Sequence, residues 1–84
     1  MLEKGTVVRS SAGRDKGKLL AVMQASESCV TVCDGKERPI DRPKSKNIRH
    51  VECVGASLTE AETATNRALK KALARLNAEI NGNT

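Results

Sequence analysis

The stretch GTVVRSSAGRDKGKLLAV, which runs from Gly5 to Val22, places a strand, a turn and a second strand in immediate succession. Val8 and Ser10 alternate onto one face before the turn, because successive side chains of a strand point to opposite sides. Leu20 and Val22 alternate in the same way after it. The cations left outside this face or at the tip of the turn are Arg9, Arg14, Lys16 and Lys18. The stretch therefore predicts a β-hairpin whose turn presents several positive charges.

Gly13 and Gly17 lie at the two ends of this turn. Glycine permits positive φ or a close backbone approach to a ligand, and backbone amides of such a loop can meet phosphate. The letters GRDKGK also resemble a nucleotide-binding P-loop, but only three residues separate the two glycines, and Leu19 stands where that loop requires a metal-binding hydroxyl. We therefore expect no nucleotide hydrolysis, and an ordinary basic hairpin is the alternative interpretation.

Short β-branched runs separated by Gly, Pro and Asp continue as far as Val54 and predict five strands. These are Thr6 to Ser10, Leu19 to Met23, Cys29 to Cys33, Glu37 to Ile40 and Ile48 to Val51. Asp34-Gly35 predicts a two-residue type I′ hairpin between the third and fourth strands. Pro39 and Pro43 lack a backbone donor, so a loop is expected from Asp41 to Asn47. We expect the strands to close into a small barrel, with an open sheet capped by a helix as the alternative.

Alanine, glutamate, leucine, lysine and asparagine dominate the chain after Gly55, and the apolar spacing changes from two to three or four. Capping boxes that begin at Ser57 and at Thr59 are alternative helix starts, and Asn81-Gly82-Asn83 supplies a stop. The apolar stripe consists of Leu69, Leu73, Leu76 and Ile80, broadened by Ala61, Ala64, Ala68 and Ala72. The sequence thus predicts a barrel over residues 1–55 and, within residues 56–84, one amphipathic helix of about five turns. The helix is expected to pack on the barrel or on a partner.

The formal net charge is +5, from 15 Lys and Arg against 10 Asp and Glu, and it is concentrated in two windows. Residues 9–18 carry +3, and residues 36–50 carry +4. The cations of the second window are Lys36, Arg38, Arg42, Lys44, Lys46 and Arg49. Alternate basic residues across a proline-containing loop form a ridge that can follow phosphates, so a polyanionic partner is favoured. Two solvated loops are the alternative interpretation.

This sequence closely follows a pattern that consists of a glycine, alternating apolar residues and then G-[KR]-D-K-G-K. The positions kept at that spacing are Gly5, Val8, Gly13, Asp15, Lys16, Gly17, Lys18 and Val22. The stretch thereby resembles the KOW motif of ribosomal and transcription-elongation proteins. Leu20 departs from the wider KOW class, in which a glycine often follows the basic turn.

Three later segments extend this resemblance over nearly the whole chain: DGK at 34–36, RPKSKNIRHV at 42–51 and NRALKKAL at 66–73. Together they are similar to the bacterial KOW-domain proteins akin to archaeal and eukaryotic ribosomal protein L-fourteen-e. That resemblance implies a mainly β fold, a small SH3-like five-stranded barrel followed by one helix, with RNA binding and ribosome association. The chain has no Phe, Trp or Tyr, so it lacks base-stacking platforms, and a structured RNA such as ribosomal RNA is the expected partner.

We therefore expect a non-enzymatic RNA-binding protein, monomeric when free, that uses loop 12–18 and segment 36–50. Arg14, Lys16 and Lys18 are expected to bind phosphate, while Gly13 and Gly17 shape the loop. The contact would be extended by Arg9, Lys36, Arg38, Arg42, Lys44, Lys46 and Arg49. The alternative is a protein-interaction module of the translation or transcription machinery that docks through the barrel surface or the leucine stripe, as KOW domains of elongation factors can.

The remaining reactive residue types indicate no catalytic or metal site. Cys29, Cys33 and Cys53 form no C-x-x-C pair, so the spacing of a disulfide framework or a zinc site is missing, and Cys29 and Cys33 are expected in the core. His50 lacks an identifiable catalytic partner and is expected at a strand end or in an RNA contact. The charged N-terminus has no long apolar run, so we expect no signal peptide, no membrane span and a cytoplasmic location, with no cofactor.

Overall fold

The computed structural model describes residues 2–81, which form one antiparallel five-stranded sheet and a single C-terminal α-helix. The elements are β1 (Thr6–Ser10), β2 (Leu19–Ala25), β3 (Cys29–Cys33), β4 (Lys44–Asn47), a first 3-10 turn (Ile48–His50), β5 (Val51–Ser57), a second 3-10 turn (Ala61–Thr63) and α1 (Asn66–Asn81). The predicted mainly β class is confirmed. Of the predicted helix stop, Gly82 and Asn83 lie outside the described residues.

The strands are arranged in the order β4-β3-β2-β1-β5, with every neighbouring pair antiparallel. The edge strands β4 and β5 do not pair with each other, so the sheet is open over the described residues rather than a closed barrel. Register shifts between Thr6 and Val8 and between Val22 and Gln24 add local twist. The first 3-10 turn joins the two edges, and its Ile48 packs on the apolar cluster of one sheet face. The predicted barrel is therefore only loosely supported, because the sheet is not closed.

Both faces of the central strands are buried, each by a different part of the chain. One face forms an inner cluster of Val8, Leu20, Val22, Val30 and Val32. The other face forms a helix-side cluster of Val7, Leu19, Ala21, Cys33, Leu58, Leu69, Ala72 and Leu73. Helix α1 therefore packs on its own sheet, and no helix within residues 2–81 combines the length and apolar character needed to cross a bilayer.

The segment after β3 differs from the prediction. The predicted strand from Glu37 to Ile40 is wrong, because Asp34 Oδ1 accepts hydrogen bonds from the amides of Lys36 and Arg38, each at 2.9 Å, and closes a compact turn. The predicted type I′ turn is also wrong, since Gly35 has positive φ (+81°) and Asp34 does not. Local side-chain bonds of this kind compete with strand pairing.

The predictions for the two segments that follow this turn also differ from the structure. Strand β4 lies inside the predicted loop from Asp41 to Asn47, and it pairs with β3. The predicted strand from Ile48 to Val51 begins instead as a 3-10 turn, and β5 then continues to Ser57.

Helix α1 begins later than either predicted start, since Ser57 still belongs to β5. The Thr59 box does close: the Thr59 amide donates to Glu62 Oε1 (2.9 Å), and the Glu62 amide donates to Thr59 Oγ1 (3.2 Å). Hydrogen bonding from the Thr59 amide also lowers the pKa of the Glu62 carboxyl. That box starts only the second 3-10 turn, and Thr65 Oγ1 caps α1 by accepting from the Ala68 amide (3.1 Å).

The predicted helix stripe is buried only in part. Leu69 and Leu73 are buried against the sheet, Leu76 is half-buried, and Ile80 is 39% exposed. Ala61 and Ala64 precede α1 and are exposed.

The two cysteines predicted in the core have different environments. Cys33 is buried, and burial raises the pKa of its thiol to about 11. The prediction of a core position for Cys29 is wrong, because the helix-side cluster covers only the Cys33 end of β3 and leaves Cys29 exposed.

Candidate nucleic-acid interface

Loop 12–18 is closed by its own hydrogen bonds. The Gly17 amide donates to the Ser10 carbonyl (2.8 Å), and Ser10 Oγ donates to the carbonyl of Ala12 (2.9 Å). Gly13 and Gly17 have φ of +80° and +88°, which are left-handed conformations that favour glycine. The turn predicted from the two glycines is therefore present, and its shape is fixed by the backbone.

Asp15 lies inside this basic loop and points inward, with only 2% of its surface exposed. Its Oδ2 atom lies 3.6 Å from Arg38 Nη2 and 3.8 Å from Lys44 Nζ. The same oxygen accepts no hydrogen bond from any residue in the described part of the chain. A buried carboxylate is costly without compensating charge, so these two cations stabilise Asp15. Asp15 thereby holds segment 36–50 against the loop.

Lys46 of β4 makes a second connection between the two basic windows. Its side chain is buried, with 8% of the residue exposed, and its Nζ donates to the Ala12 carbonyl (3.2 Å). The first 3-10 turn adds a third connection, because the Ser11 amide donates to the His50 carbonyl (2.9 Å). These contacts join the two windows, which are separate in the sequence, and the cations of the joined windows are the basic surface.

Lys18 is shared between this surface and an acidic partner. Its Nζ lies 3.0 Å from Glu37 Oε1, in a pair whose side chains are 43% and 56% exposed. The hydrogen bond to Glu37 raises the pKa of Lys18 above its ordinary value of 10.5. Solvent screens a pair of this kind, so Glu37 can release Lys18 to a stronger anion.

Several predicted cations have no carboxylate within salt-bridge distance among residues 2–81. Arg14 and Lys16 are exposed at the tip of the loop, on either side of Asp15. Arg9 is half-buried in β1 opposite Glu52 of β5, where it belongs to the sheet rather than to the loop. The other exposed members are Lys36, Arg42 and Arg49. Arg14 and Lys16 are thus the cations that the loop presents most directly to a ligand.

Helix α1 contacts segment 36–50 and holds it in position. The Ile40 amide donates to Asn66 Oδ1 (2.7 Å), which ties the segment to the first turn of α1. Gly35 packs directly on the same turn, and a Cβ at Gly35 would collide with the Asn66 carbonyl oxygen. The position of Arg38 beside Asp15 therefore depends on the docking of the helix.

Three residues that shape this surface were not predicted as site residues. Asp15 and Glu37 determine which cations form ion pairs within the protein. Lys70 of α1 lines a cleft of about 290 Å³ beside Lys18 and Lys36. Asp15 had a signal in the sequence, because it is the single acid among the cations of loop 12–18. No sequence signal places Lys70 here, because its position follows from how α1 packs on the sheet.

The described residues 2–81 contain no group of three or more His, Cys, Asp or Glu side chains that could hold a metal ion. The chain matches no protein-family model, and no curated protein matches its sequence.

Proposed function

We propose that this chain is a KOW-type RNA-binding protein that catalyses no reaction and associates in the cytoplasm with structured RNA, above all ribosomal RNA. The observation that carries the proposal is the joining of the two basic windows around buried Asp15. Folding brings cations from both windows together around loop 12–18, and such a concentration of positive charge attracts a polyanion.

The proposed mode of binding is contact with phosphate and with the shape of the RNA. Arg14 and Lys16 reach outward from a loop whose backbone is closed by hydrogen bonds, so little backbone entropy is lost when they bind. Phosphate contacts of this kind position a protein on RNA without reading its sequence. The absence of aromatic side chains argues against stacking on unpaired bases and favours an RNA helix or a folded junction.

The test is co-sedimentation with ribosomes from a lysate of cells that produce the protein, at low and at high salt. We expect the protein to migrate with ribosomes at low salt and to be released at high salt, because each phosphate contact displaces counterions. Arg14→Gln/Lys16→Gln should weaken the co-migration, whereas Arg67→Gln/Lys71→Gln removes the same charge from α1 and should not. No co-migration at either salt concentration would contradict ribosome association.

A protein-interaction module is a second candidate, and one observation favours it. The apolar stripe of α1 continues past the sheet, where Leu76 is half-buried and Ile80 is 39% exposed. Ile80→Ser should then abolish association with the cellular target, while Arg14→Gln/Lys16→Gln should leave it intact. Circular dichroism of Ile80→Ser must match that of the wild type, so that loss of association is not loss of fold.

A further inference from the structure

The cleft that Lys70 lines has not been assigned a role. We propose that this helix-side cleft, formed by residues 17–19, residues 34–36 and α1, binds a backbone phosphate of the RNA and that Lys70 completes the site. The inference rests on the proposed RNA binding and extends it to an element that the basic windows do not include.

Three lysines from three separate parts of the chain line the helix-side cleft: Lys18, Lys36 and Lys70. Among residues 2–81 the lining contains one acid, Asp34, whose Oδ1 already accepts hydrogen bonds from the amides of Lys36 and Arg38. Cations therefore outnumber acids in the lining by two. Neighbouring ammonium groups repel one another, and an anion placed among them relieves that repulsion. A backbone phosphate supplies such an anion.

The rotation of α1 is what directs Lys70 into the cleft. Lys70, Leu73 and Asn77 recur at spacings of three and four, so they lie along one face of the helix, and all three line the cleft. Burial of Leu69 and Leu73 against the sheet fixes that rotation. Lys71, the next residue, lines a different cleft that contains Glu62 and Arg75. Two adjacent lysines of the same helix thus face different surroundings.

The helix-side cleft is also continuous with the loop. Gly17 and Lys18 line it and belong to the loop whose tip carries Arg14 and Lys16. Lys36 and Lys70 have no carboxylate within salt-bridge distance in the described part of the chain, and Lys18 is held only by its exposed pair with Glu37. An RNA backbone that crosses the tip can therefore continue into the cleft and draw Lys18 away from Glu37.

Lys70→Gln and Lys71→Gln form a matched test, because both remove one charge from α1 and keep a good helix former. Binding to a fluorescein-labelled RNA stem-loop would be measured by anisotropy over a range of salt concentrations. Loss of one phosphate contact should weaken the binding of Lys70→Gln about five- to eightfold at about 0.1 M salt and reduce the salt slope by about 0.7 to 0.9. Lys71→Gln should keep the wild-type affinity and slope. Urea unfolding must be the same for both variants.

The outcomes separate the two proposals. If the wild type binds RNA and the two variants behave alike, the cleft assignment is overturned and the proposed function stands. If the wild type binds no RNA, both are overturned. The same comparison distinguishes a free phosphate ion from the RNA backbone. If the cleft binds only a free ion, Lys70→Gln and Lys71→Gln bind the RNA alike in chloride buffer, whereas contact with the RNA backbone makes Lys70→Gln the weaker binder with the lower salt slope.

Discussion

Two groups of residues in the basic surface use the same kinds of side chain in opposite ways. The tip, Arg14 and Lys16, is exposed and has no carboxylate partner within residues 2–81. The anchor consists of Asp15 with Arg38, Lys44 and Lys46. The side chains of residues 14, 15 and 16 are adjacent in sequence, yet the middle one is buried and the outer two reach solvent. The anchor cations are already engaged within the protein, so a count of basic residues overstates the charge available to a ligand.

The largest expected effect comes from a substitution that pushes segment 36–50, which carries the anchor cations, away from helix α1. In Gly35→Ala, a Cβ collides with the Asn66 carbonyl at a position with positive φ, so the free energy of unfolding should fall by about 2 to 4 kcal/mol. Gly17→Ala is the control, because its φ is also positive (+88°) but nothing lies within 4 Å of the new Cβ. We expect Gly17→Ala to lower the free energy of unfolding by about 1 to 2 kcal/mol. Equal losses in urea unfolding would show that α1 does not position the segment.

A smaller loss of stability should follow from removing the anchor charge itself. Asp15→Asn keeps the shape of the side chain but leaves Arg38 and Lys44 without their shared acid. Because both cations are partly exposed, the free energy of unfolding should fall by only about 1 to 3 kcal/mol. Lys16→Gln, one residue away, should change it by less than about 0.5 kcal/mol. An Asp15→Asn variant as stable as the wild type would remove the distinction between anchor and tip.

The tip should affect binding and not stability. Arg14→Gln/Lys16→Gln removes two phosphate contacts, so affinity for an RNA stem-loop should fall about 25- to 60-fold at about 0.1 M salt. The unfolding curve should match that of the wild type, because neither side chain has a carboxylate partner within residues 2–81. Arg67→Gln/Lys71→Gln controls for net charge. If that control loses as much affinity as the tip variant, binding depends on overall charge and not on the loop.

The smallest effect should come from breaking the ion pair between Lys18 and Glu37, since Lys18 belongs to neither the tip nor the anchor. Glu37 raises the pKa of Lys18, so Lys18 is charged at neutral pH, and its attraction to Glu37 is lost only as the pH rises above the ordinary pKa of 10.5. Glu37→Gln should let this pKa fall back and should raise RNA affinity by no more than one full contact, about five- to eightfold at about 0.1 M salt. NMR titration and anisotropy measure the two changes. Glu27→Gln, an exposed acid outside the basic surface, should alter neither.

The strands that could be predicted from the sequence are those with alternating apolar residues. The bounds of β1 (Thr6–Ser10) and β3 (Cys29–Cys33) agree with the prediction, because a period of two is visible locally. Strand β4 has the sequence KSKN and lies at an edge, so it carries almost no apolar signal. The turn after β3 depends on side-chain bonds of Asp34 and on contact between Gly35 and α1, which is a distant part of the chain.

The helix start and the candidate site were predictable to different extents. Thr65-Asn66 interrupts the helical pattern with two residue types that favour caps over helix interiors, so the later start had a local signal. The cations of the surface were also visible in the sequence. Their division into anchor and tip was not, because it depends on the burial of Asp15 beneath cations from a later segment. Burial is a property of the assembled fold, and charge patterning alone does not specify it.

The most direct test of the central claim is the salt dependence of wild-type binding to a structured RNA. If about five cations of the basic surface contact phosphate, the logarithm of the affinity should fall with the logarithm of the salt concentration at a slope of about −3.5 to −4.5. In Arg14→Gln/Lys16→Gln the slope should be less steep by about 1.4 to 1.8. An affinity that does not change with salt, or a slope that is the same in the tip variant, would contradict phosphate binding by this surface.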